Sequence, residues 1–262
     1  MAVKRTLRPG PDRLAANVYA NIRRGVPQVV PHAKQATQIA LCAGGPSLED
    51  HIEDVRRLQI EGAEVVCVGN AGHTCNAHGV KVNGHVLLDG AGRNRSFVVT
   101  DPQARYFIAS QCDPSVLNAL RDHQHVYLWH AVNGEEEQRI LDDFYGKWQW
   151  FQIPGGSYVT LRAITLLGIL GYTWINIFGL DSCIFREKHH AYSQPNADGQ
   201  RTETVEMGGE TFEATYWMLD QASQFVDSVR NNRFGNAQLA IHGDGLIATM
   251  VKTGGQPTWQ LQ

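Results

Sequence analysis

The sequence predicts an α/β protein with a Rossmann-like, mainly parallel sheet flanked by helices, carrying a lid-like loop and a hairpin insertion. Three observations lead there. Short β-branched runs alternate with segments of helical periodicity, the pattern of strands joined by crossover helices. Several runs end on glycine, asparagine or aspartate. One helical segment is apolar on nearly every side, as a helix buried against a sheet would be.

Gln38 to Ala43, "QIALCA", reads as the first buried strand, and Leu48, Ile52, Val55 and Leu58 then mark one face of an amphipathic helix. "EVVCVGN" (64–70) is a second strand and "HVLLD" (85–89) a third, ending on Asp89. "RYFIAS" (105–110) and "HVYLWH" (125–130) are two more, with a short helix from Pro114 to Leu120 between them. A polar helix over 135–145 precedes "FQIPGGS", and an apolar helix over 159–170 follows, stopped by Gly171. "WINIFGLDS" (174–182) is a buried strand leaving through Asp181. The polar stretch from Cys183 to Gln200 reads as a long loop or lid, and "TVEMGGETF" as a hairpin around Gly208 and Gly209. A helix over 213–229 and a strand over 237–243 close the domain. The organisation expected is a basic N-terminal arm or helix over 1–36 and one nucleotide-binding α/β domain over 37–262.

Composition narrows the function. With 262 residues, 43% hydrophobic and 19% charged, the chain is of globular type. A net charge of -3 speaks against general nucleic-acid binding, which needs a basic surplus. The cluster Lys4, Arg5, Arg8, Arg13, Arg23 and Arg24 reads as a solvated arm or as a contact for an anionic partner. Five scattered cysteines without a CxxC pair fit free thiols in a reducing compartment. No apolar segment is long enough to span a bilayer, so a soluble, cytoplasmic protein is expected. Oligomeric state is not legible, and a homo-oligomer is compatible with everything above.

Ligands of open parallel sheets sit outside the carboxyl ends of the strands. Gly44, Gly45, Pro46 and Ser47 follow the first strand, with Ser47 and Asp50 at capping-box spacing. Glycines there let backbone approach an anion at a helix N-terminus; the same fragment is also an ordinary capped turn. "PGGS", with Gly155, Gly156 and Ser157, repeats the device before the apolar helix. It is neither GxGxxG nor a Walker loop. Asp89 and Asp181 read as magnesium ligands or proton acceptors, or alternatively as caps. His189 and His190 in the lid are candidate bases, or plain surface histidines. His73, Cys75 and His78 form a weak metal pattern in a loop. Trp148, Trp150 and Phe151 read as core packing or as a stacking platform, as does Trp129.

The run "GGPSL", "VGNAG", "HVLLD" and "GGSYVTLRAITLLGILGYTWINIFGLDS" resembles the 6-hydroxymethylpterin diphosphokinase-like family, over roughly Ile39 to Ser182. "HHAYSQPNADG" is similar to a segment of its bacterial and phage branch. The same plan is distantly similar to bacterial sialyltransferases. The resemblance implies that Gly44, Gly45, Pro46, Ser47, Asn70, Gly156 and Ser157 contact a nucleotide, that Asp89 and Asp181 are metal or catalytic acids, and that His189 or His190 matches the sialyltransferase base. Asn83 and Gly84 stand where a proline-aspartate is usual, and Ala43 where asparagine or glycine is common. The expected activity is diphosphate transfer from ATP, with Mg2+, to a hydroxymethyl-bearing acceptor. The alternatives are glycosyl transfer from a nucleotide sugar and a non-catalytic nucleotide-binding module.

Overall fold

The computed structural model describes residues 9–192 and 201–255. The chain opens with helix α1 (Pro11–Ile22), then runs β1 (Ile39–Cys42), α2 (Ser47–Asp50), α3 (Ile52–Ile60), β2 (Glu64–Val68), α4 (Ala71–Ala77) and β3 (Gly84–Leu87). A single 3-10 segment (Gly92–Phe97) leads to β4 (Arg105–Ala109), α5 (Pro114–Ala119), β5 (Val126–Trp129), α6 (Glu135–Tyr145), α7 (Val159–Ile169) and β6 (Trp174–Phe178). The hairpin β7 (Thr202–Met207) and β8 (Glu210–Thr215) is followed by α8 (Tyr216–Arg230), β9 (Gln238–Ile241) and α9 (Leu246–Thr253).

Seven strands form one sheet in the order β5-β4-β3-β2-β1-β6-β9, parallel throughout, and β7 pairs with β8 apart from it. Chain order runs outward from β1 on one side and restarts with β6 on the other. The switch point therefore lies between β1 and β6, where a doubly wound fold binds its ligand. Residues 40 and 42 of β1 face one layer with Val65 and Cys67, whereas Ile39 and Leu41 face the other with Val66 and Val68. Both faces are covered, which is why these strands read as unbroken apolar runs. Helix α7 is buried from Thr160 to Leu167.

Three elements differ from expectation. Residues 71–77, read as a loop around His73 and Cys75, are helical: "AGHTCNA" lacks a long apolar period, and its start is set by the tight Gly69–Asn70 exit from β2. The chain does not close at the strand over 237–243, because α9 follows it. The N-terminal basic segment, in its described part, is docked. Asn17 Nδ2 donates to the carbonyls of Gly90 and Gln111, Asn21 Nδ2 donates to those of Ser110 and Cys112, and Val18 and Ile22 pack on Leu141 of α6. Arg13 pairs with Asp113 at 3.1 Å. Lys4, Arg5 and Arg8 lie outside the described residues, as do 193–200 of the expected lid. Among the described residues no helix is long and apolar enough to cross a membrane.

Candidate functional site at the switch point

Beyond β1 the chain stays close to β6: Ala43 N–H donates to Phe178 O and Gly45 N–H to Gly179 O, both at 2.8 Å. A side chain at Gly45 would begin 2.5 Å from the Gly179 carbonyl and 2.5 Å from the Asp181 carboxylate. That carboxylate accepts the Ser47 N–H at 2.9 Å and the Ser47 hydroxyl at 2.5 Å. Asp181 thus caps α2 from the loop that follows β6. The expected capping box between Ser47 and Asp50 is not formed. Pro46 holds the cap position with helical φ and ψ, so Ser47 is already inside the helix and gives its hydroxyl to a stronger, charged acceptor. Burial pushes the Asp181 carboxyl above its usual pKa, against the opposing pull of the two Ser47 donors.

The described end of the lid segment lies on this corner. Ala191 N–H donates to Gly44 O at 3.0 Å, and His190 Nδ1 meets the same carbonyl at 3.3 Å. A carbonyl only accepts, so this contact puts the ring proton on Nδ1 and leaves Nε2 as an acceptor. Burial lowers the His190 pKa, with the nearby His189 adding to the effect. The His190 ring stacks on Tyr192 with centroids 5.4 Å apart. A Cβ on Gly44 would lie 2.6 Å from the Tyr192 hydroxyl. Lys188 and Arg186 tie the segment to Glu49 and Asp50 of α2, each at 3.0 Å. Asn70, one strand along, stands at the N-terminus of α4.

The second corner approaches the first through α8. Gln221 accepts from the Ser182 hydroxyl and Gln224 from the Ser157 N–H, both at 2.8 Å. These glutamines are three residues apart, about 4.5 Å along the helix. Gly156 has φ +75, and the Gln224 amide occupies the space a Cβ would need. The donors expected to meet phosphates at Ser47 and Ser157 are therefore engaged by Asp181 and Gln224. Arg162, which sequence reading passed over, holds the Gly155–Gly156 turn: it donates to Ile153 O at 2.6 Å and Gly156 O at 2.7 Å, and it is 6% exposed. Glu137 is the nearby acid, and Asn133 hydrogen-bonds to it. The available signal was a lone arginine inside an apolar helix.

Asp89 accepts the Ala91 N–H at 3.1 Å and faces Arg93 at 3.6 Å. It lies just beyond β3, whereas Asp181 lies beyond β6 with β2 and β1 between those strands, and each carboxylate is engaged by its own partners. The His73–Cys75–His78 pattern is undone, since His73 meets Ser96 O, His78 meets Thr74 O, and α4 turns Cys75 inward. Of the aromatic residues, Trp129 is buried and Trp150 packs on His130, while Trp148 and Phe151 are exposed. Two grooves of about 620 and 260 Å3 lie elsewhere, between α1 and α6 and beside the end of α7.

A seven-stranded doubly wound sheet with glycine corners at its switch point defines a Rossmann-like α/β protein. The chain belongs to the 6-hydroxymethylpterin diphosphokinase MptE-like family, which it matches over residues 12–187. Among solved structures, the Maf glycosyltransferase from Magnetospirillum magneticum AMB-1 superposes with a TM-score of 0.70 at 19% identity, covering 89% of this chain and 36% of that one. The chain therefore spans about a third of that protein. A mammalian sialyltransferase in complex with Gal-beta-1-3GalNAc-ortho-nitrophenol gives a TM-score of 0.39 at 9% identity, covering 91% of each chain. The sequence finds no match among curated proteins.

Proposed function

We infer that this transferase moves a group from a nucleotide to a hydroxyl acceptor at the β1–β6 edge, with diphosphate from ATP as the transferred group. The observation that carries the reading is His190, held by Gly44 O through Nδ1 with Nε2 free to accept. The acceptor hydroxyl attacks the β-phosphorus, an oxygen–phosphorus bond forms as the bond to the α-phosphate oxygen breaks, AMP leaves, and the hydroxyl proton passes to His190 Nε2. A pKa held below its usual value keeps the ring neutral and ready at pH 7. Gly44, Gly45 and Asn70 supply backbone and amide to the nucleotide, whose admission requires Tyr192 to leave Gly44. Asp181 acts as a positioning residue for Ser47.

The same placement of His190 also supports a second reading, glycosyl transfer from a nucleotide sugar. There the acceptor oxygen attacks the anomeric carbon, the carbon–oxygen bond to phosphate breaks, and His190 takes the same proton.

A panel of ATP, GTP, CTP, CMP-sugars and UDP-sugars, each with and without magnesium, tests the readings by thermal shift and product analysis. ATP stabilisation with AMP release supports diphosphate transfer, and a sugar-nucleotide shift without magnesium supports the second. His190→Gln should keep the ligand shift and lose at least ~100-fold in turnover. Full turnover in that variant, or no shift with any nucleotide, refutes the proposal.

A further inference from the structure

Three of the five cysteines come together. Cys42 ends β1, Cys67 is its register partner on β2, and Cys75 reaches down from α4. Cys67 and Cys75 have their sulfurs 3.6 Å apart, and the three sulfurs all lie within 4.8 Å of one another. This is the only such group of three metal-ligating side chains among the described residues.

We propose that Cys42, Cys67 and Cys75 form a three-thiolate site for a soft, thiophilic metal ion. Three sulfurs about 2.3 Å from a central ion stand ~4 Å from each other in a trigonal arrangement, which matches this spacing. Each cysteine is 0% exposed, and no carboxylate belongs to the group, so ligand type selects a soft ion over magnesium or calcium. Binding expels the thiol protons to solvent. Ala191 and Tyr192, which reach Gly44, also pack on the apolar cluster that contains the three cysteines. The ion would thereby fix the ends of β1 and β2, from which Gly44 and Asn70 project. Its structural basis is independent of the transfer chemistry proposed above.

The probe is Cd2+, added to the reduced full-length chain both in the folded state and during refolding, with the ultraviolet thiolate-to-metal charge-transfer band as readout. The expected result is saturation at about one ion per chain, with a rise in thermal midpoint. Cys42→Ser, Cys67→Ser and Cys75→Ser should each lose the band, whereas Cys112→Ala and Cys183→Ala keep it. Should one serine variant fail to fold, the alanine variant at the same position is read instead. Absence of the band by both loading routes overturns the proposal. So does a band that survives loss of Cys75.

Discussion

Replacing Asp181 tests whether its carboxylate holds the α2 corner together. Asp181→Ala removes two charge-assisted hydrogen bonds, to the N–H and hydroxyl of Ser47, and leaves both donors buried at a position 2% exposed. Such bonds contribute roughly 1.5–3 kcal/mol each. Relief of the buried charge, whose cost is visible in the raised pKa, offsets part of this. The expected net loss is ~3 kcal/mol, or ~6–12 °C in thermal midpoint for a chain of this size. Asp181→Asn keeps one acceptor for the N–H and turns an amide N–H2 toward the Ser47 oxygen, so it should cost only ~1 kcal/mol. Urea unfolding of the three proteins gives the comparison. The same series predicts a pH signature. A carboxyl with a raised folded pKa contributes most below its unfolded value and loses that contribution as pH rises through the folded one. The advantage of wild type over Asp181→Asn should therefore be largest in acid and shrink toward neutrality. Equal losses for Asn and Ala, or an alanine variant within ~0.5 kcal/mol of wild type, would refute the capping role.

Three further substitutions extend the test to β3 and to the glycine corner. His85 on β3 stacks on Tyr106 at 5.3 Å with both ring nitrogens unpartnered, and burial lowers its pKa to about 4. Its neutral form stabilises the fold above pH 6.5, and that contribution, up to ~3 kcal/mol, is lost as pH falls toward 4. His85→Phe should flatten the acid limb of a stability-versus-pH curve, and an unchanged limb would assign the acid sensitivity elsewhere. Gly45→Ala forces a methyl against the Gly179 backbone and Asp181, and should cost ~2–4 kcal/mol in urea unfolding. Gly44→Ala meets only the far end of the Tyr192 side chain. It should unfold within ~1 kcal/mol of wild type, yet bind nucleotide more weakly in calorimetric titration.

The sheet was legible because parallel strands buried on both faces must be continuous apolar runs, and Leu41, Val66 and Ile177 sit in such runs. Boundaries of α6 and β4 were likewise plain from periodicity and the flanking glycine and serine. The placement of Gly44 and Ser47 just beyond β1 followed from the strand pattern, whereas the contact of His190 with Gly44 is read from the structure alone. The partners of those groups did not follow from the pattern, because they come from far along the chain. Nothing local to Ser47 says that Asp181 will cap it, and nothing near Ser157 names Gln224. The thiol group was hidden for the same reason. Cys42, Cys67 and Cys75 have no common spacing, and only strand register and the inward turn of α4 unite them. Arg162 was obscured by its surroundings, since an apolar helix invites no search for a buried cation.

The pairing of β1 with β6, which brings Ile39 beside Ile175, also bears on how the molecule comes into being. Strands β1 to β5 pair outward in order of synthesis, but the β1–β6 contact waits until Phe178 has left the ribosome. The additional entropy of closing so long a loop grows only logarithmically, yet contacts of this range slow folding. Until then β1 presents an open, apolar edge, a liability for association with other nascent chains. The edge that carries Gly45 and Asp181 is thus completed late in folding, and chaperone dependence should track the part of the chain after residue 170.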